Sequence, residues 1–181
     1  MNPRTITTMG DFRAFMLWLA QHPAHTHPES LATYLCALWP LIQAHADVPP
    51  SWALFGQLFL DARIQTPTAF DPAWFAYTAP PALIREQHPP VGNGFAELRH
   101  MILYQIADLQ RLSLAGVFTD EHKRLDLWLG AGVSPTGHRW SNLDPPNFLG
   151  QIPYGLQENS PRTDCSWADF AILLWIGQIY E

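Results

Sequence analysis

Leu31, Tyr34, Leu35, Leu38, Trp39 and Ile42 recur at i, i+3, i+4, i+7, i+8 and i+11, a spacing that gathers all six on one stripe of an α-helix and divides them between the two faces of a strand. The same period, with capping residues in front of it, runs through most of the 181-residue chain. Thr8 and Asp11 stand as a capping box before Phe12, Phe15, Met16 and Leu19; Thr26 and Glu29 repeat it, with Pro28 in the first turn, where its missing N–H removes nothing. Pro49, Pro50 and Ser51 open a third helix through about Ile64, and Asp71-Pro72 opens a short one from Ala73 to Tyr77. Phe95 to Ala115 is the longest uninterrupted pattern, closed by Gly116. Thr119 caps a helix to about Leu129, and a box at Ser166 and Asp169 starts the last one. Pro40 predicts a kink in the second helix.

These signals predict a single all-α domain over residues 1–181, an irregular bundle of six or seven helices. A long irregular segment, about 130–163, is expected to pack over one side. It holds five glycines and five prolines with no sustained period, but Trp140, Leu143, Phe148, Ile152 and Tyr154 give it rings and aliphatic chains to pack with. Its residues Gly150 to Leu156 are the best place for a short extended piece. Leu17-Trp18-Leu19-Ala20, Leu127-Trp128-Leu129-Gly130 and Leu174-Trp175-Ile176-Gly177 resemble one another, yet their separations are unequal, so three aromatic helices meeting in one core is the expectation and a repeat is not.

Apolar residues make up 48% of the chain and charged ones only 14%, so much helix surface must be buried or meet a partner. Sixteen acids against ten bases give a net charge of -6, and Lys123 is the single lysine. Affinity for nucleic acid comes largely from clustered Lys and Arg, so DNA and RNA are not expected partners, nor is an anionic membrane surface. The apolar runs Phe15 to Ala20 and Phe170 to Gly177 fall well short of the ~20 residues that cross a bilayer. A soluble, cytoplasmic protein is expected, with Cys36 and Cys165 as reduced thiols. Cys36 lies on the apolar stripe side and reads as inert; Cys165, beside a helix N-terminus, is the better placed for a lowered pKa.

The chain carries no Gly-x-Ser-x-Gly elbow, no Gly-x-Gly-x-x-Gly, no Walker loop and no His-Glu-x-x-His, so no catalytic residue is assigned and no cofactor is expected. Gly92-Asn93-Gly94 reads as the start of a helix and not as a phosphate cradle. Three constellations are candidates. Glu97, His100, Tyr104, Asp108 and Arg111 fall within about 80° on a helical wheel, opposite Leu98, Met101, Ile102, Ile106, Leu109 and Leu112; this row is either a solvated face or the lining of a ligand site. His25 and His27, in the turn from His22 to Glu29, offer a His-x-His metal pair, although the prolines and Glu29 also explain the segment as a turn. Trp140, Asn142, Asp144, Phe148 and Tyr154 have the composition of an interface.

The functional expectation is a non-catalytic bacterial protein-interaction module, an adaptor or an immunity- or antitoxin-like binder, meeting another protein or a second copy of itself. The alternative is a small-ligand or divalent-metal-binding helical protein or enzyme using the polar row of residues 95–115.

Overall fold

The computed structural model describes residues 1–22, 30–86, 88–114 and 144–178, and they form an all-α bundle. Among them are seven α-helices: α1 (Met9–Gln21), α2 (Leu31–Ala44), α3 (Trp52–Asp61), α4 (Ala82–Arg85), α5 (Phe95–Leu114), α6 (Pro145–Gln151) and α7 (Trp167–Gln178). Short 3-10 turns occupy Pro3–Thr5, Pro72–Ala76 and Ile152–Gly155, and no strand occurs among the described residues. None of these helices is long and apolar enough to cross a membrane.

Local chemistry sets most helix starts. The Thr8 hydroxyl accepts the Asp11 N–H at 3.1 Å while the Asp11 carboxylate accepts the Thr8 N–H at 3.0 Å, completing the box at α1. The same carboxylate also takes the Thr7 hydroxyl and N–H, and these bonds, the Thr7 hydroxyl foremost, hold its pKa below 3.8. Ser166 and Asp169 form the matching box at α7. At α2 the cap is Ser30, whose hydroxyl accepts the Thr33 N–H at 3.2 Å, so the helix begins later than a box at Thr26 would start it. Residues 23–29 lie outside the described part, as do Gly116 and the helix expected from Thr119.

Of the segment expected to be irregular and partly extended, residues 145–155 are helical and residues 156–163 are irregular. Asp144 caps α6, Pro145 and Pro146 fill its first turn, and Ile152–Gly155 continues as a 3-10 turn. Phe148, Leu149 and Ile152 are fully or almost fully buried in the core. The chain then runs over the N-terminus of α1, where the Met9 and Gly10 N–H groups, which no intrahelical carbonyl can reach, bond to the carbonyls of Arg162 (2.8 Å) and Ser160 (3.1 Å).

The helices share one hydrophobic cluster. α5 packs along α7, α1 against α6, and α2 against α5. At its centre Phe55 stacks on Phe170 with centroids 4.5 Å apart, ringed by Phe12, Trp52, Phe59 and Trp167. Trp18, Trp39, Trp52 and Trp175 all join or border this core, as expected of helical tryptophans with apolar neighbours.

Candidate functional site

The polar row of α5 faces the protein's own chain. Residues 70–86 and 88–91, comprising the Pro72–Ala76 turn, α4 and the proline-rich links around it, cross this helix as a strap. Arg111 anchors one end: its guanidinium donates to the Phe75 carbonyl at 2.7 Å and twice to the Tyr77 carbonyl at 3.1 Å, and it lies 5.3 Å from the Phe75 ring centroid. A planar fork of donors suits two neighbouring carbonyls in a way that a lysine's point charge does not. Asp108, fully buried, lies 3.7 Å from that guanidinium. Tyr104 is also fully buried.

One turn nearer the helix start, His100 Nε2 donates to the Ala79 carbonyl at 2.9 Å, and the Tyr77 ring meets the imidazole edge-on at 5.2 Å. Glu97 Oε1 accepts the Val91 N–H at 2.8 Å. All five residues therefore share one face, as the wheel implies, but that face meets neither bulk water nor a single open cleft. The strap's main chain bonds to Glu97, His100 and Arg111, and the last two hold its carbonyls in place.

The other constellations do not assemble in the same way. Phe148 is wholly buried against Tyr34 and the Gly177 backbone, so it serves the core and not a surface. Asp144 caps α6 by accepting the Asn147 N–H at 2.9 Å, and Tyr154 is 75% exposed. Trp140, Asn142, His25 and His27 lie outside the described residues. Among the described residues no group of three His, Cys, Asp or Glu side chains is placed to hold a metal ion. Burial pushes the Cys165 thiol up to about 12, with the Asp169 and Asp164 carboxylates adding to the effect and Arg162 opposing it, contrary to the expectation of a lowered pKa. Burial alone raises Cys36 to about 11.

Gly92 and Gly94 adopt φ of +62° and +80°, and the turn they form packs on α7: the Trp167 N–H donates to the Asn93 carbonyl at 3.1 Å. This matches a helix start. In the sequence, residues 79–93 read as a proline-rich connector, which gives no direct sign of the slot of about 500 Å³ at the head of α5. Pro81, Leu83, Pro89 and Val91 supply apolar walls, and His88, Glu97 and His100 its polar groups. The six prolines between positions 67 and 90 were the available signal, since a proline-rich segment stands off a helix instead of packing flat on it. No known protein family, curated protein or solved structure matches the chain.

Proposed function

We propose that the protein is a non-catalytic protein-binding module that meets another protein through the outer surface of the strap. The observation that carries this reading is the use made of Arg111 and His100: partly buried charged and polar groups hold down a segment that leaves Phe70, Trp74, Phe75 and Tyr77 only half-buried. These rings brace one another, Phe70 with Trp74 at 5.5 Å and with Phe75 at 4.9 Å, so they are presented rigidly. Rigid aromatic groups beside an arginine have the composition of binding hot spots, where large contact area is gained with little loss of side-chain freedom. The low charged fraction, 14%, agrees with a surface that meets a partner. An adaptor or an inhibitory, immunity-type binder is the finer expectation.

The test compares wild type with Trp74→Ala in capture from extracts of the cells the protein comes from, with light scattering on the purified chain. A stable complex should bury upwards of ~1,000 Å². The expected result is a protein retained by wild type and lost with Trp74→Ala while the circular dichroism stays unchanged. A monomer that retains nothing, or a partner held equally by both, overturns the reading; a dimer abolished by Trp74→Ala replaces the other protein with a second copy.

A further inference from the structure

We infer that the slot between the strap and the head of α5 binds a primary ammonium group carried on a short apolar stem. This goes beyond the protein-binding reading and does not rest on it. At about 500 Å³ the slot is within the size range of small-molecule sites, and its walls at Pro81, Leu83, Pro89 and Val91 suit an aliphatic chain. Of its polar groups, His88 is engaged with Glu86 at 2.8 Å, and Glu97 and His100 are the ones that offer acceptors. Glu97 brings a carboxylate of which one oxygen is taken by the Val91 N–H while the other, enclosed, has no hydrogen-bond partner. His100 gives its Nε2 proton to Ala79, so in the neutral ring Nδ1 is an acceptor, and that nitrogen carries no hydrogen bond among the described residues. A ligand that satisfies both must donate, and a primary ammonium brings three donors on one atom.

Charge decides between a cation and a neutral donor. The first turn of α5 contributes roughly half a positive charge, which opposes a cation, but Glu97 brings a full negative one within that same turn. Nearby Glu86 is already shared between His88 at 2.8 Å and Arg85 at 3.6 Å, so its charge neither helps nor repels strongly. Val91 is 80% exposed and outside the core cluster, so a ligand at Glu97 displaces no core residue there.

The experiment is an amide-shift NMR titration of the whole chain at about pH 7.5, where alkylamines are protonated, using n-pentylammonium, 1-pentanol and pentanoate. The expected result is saturable shifts at Val91, Ala96 and His100 with the amine, at least about tenfold tighter than with the alcohol, and none with the carboxylate. Glu97→Gln, which retains an acceptor for the Val91 N–H, should erase the amine's advantage, whereas Glu158→Gln, a remote surface change, should not. Alcohol binding as well as amine, shifts mapping elsewhere, or an advantage surviving in Glu97→Gln overturns the inference. N-acetyl-lysine methylamide separates the sources: shifts at the same residues assign the slot to a lysine side chain of a protein, and their absence, beside binding of pentylammonium, assigns it to a free amine.

Discussion

The Thr68 N–H donates to the Cys36 carbonyl at 3.0 Å, the one carbonyl of α2 that Pro40 leaves without its helical partner. Proline lacks the N–H that would bond back four residues, and α2 nonetheless runs past it to Ala44. The site of Pro40 thus becomes a docking point for the exposed loop of residues 64–69. Pro40→Ala supplies an N–H that competes for Cys36. The variant should gain about 1 kcal/mol, because relief of the helix-interior penalty outweighs a weakened loop bond and a more flexible unfolded chain. Hydrogen exchange checks it: the Thr68 amide should exchange at least about tenfold faster although the urea midpoint rises. An unchanged Thr68 rate would show that the bond does not hold the loop.

Arg111 carries the strap, so Arg111→Met should lower stability by about 3 kcal/mol, since three carbonyl bonds to a charged donor vanish and the buried Asp108 loses this ion pair. Arg111→Lys should recover less than half, because one ammonium cannot span both the Phe75 and Tyr77 carbonyls in the same geometry. Urea unfolding gives the energies, and limited proteolysis locates the effect: cleavage should concentrate between residues 70 and 79. Equal stability of the Lys variant and wild type would mean that charge alone, and not the fork, holds the strap.

What was legible in the sequence was what local chemistry decides. The boxes at Thr8 and Asp11 and at Ser166 and Asp169 form because both partners lie within one turn, and the apolar stripe of α2 is buried as its spacing implies. α6 was missed although Asp144 and two prolines announce a helix start, because seven residues with Gly150 near the end show no period. The fate of the polar row was not legible at all. His100 and Arg111 bond to main-chain carbonyls 21 to 36 residues away, and no wheel distinguishes a face turned to water from one turned to such carbonyls.

Cys165 is only half-buried, yet its thiol should react slowly with disulfide reagents at pH 8, because burial and Asp169 disfavour the attacking thiolate. The raised values also predict a pH effect on stability. Both thiols are protonated in the folded and unfolded chains well below 9; above it the unfolded chain ionises first, so stability falls as pH rises through about 11 and 12. A Cys36→Ala, Cys165→Ala double variant should show a smaller alkaline decline of the urea midpoint. An identical decline would place its origin in other groups.

Gly92 and Gly94 share the left-handed backbone region but not the same surroundings, which separates two reasons for glycine. At Gly92 an added Cβ meets nothing within 4 Å, so Gly92→Ala carries only the conformational penalty, about 1 kcal/mol. At Gly94 the Cβ would stand 2.4 Å from the Ala168 backbone nitrogen and 2.6 Å from its Cβ, and helix backbone cannot swing aside like the tip of a side chain. Gly94→Ala should therefore push the turn off α7, break the bond from the Trp167 N–H to Asn93 and lose at least about 3 kcal/mol. Thermal unfolding of the two variants side by side checks this. A Gly94→Ala loss no larger than that of Gly92→Ala would mean that the turn and α7 yield to each other, and that the close approach does not hold the head of α5, with its slot, in place.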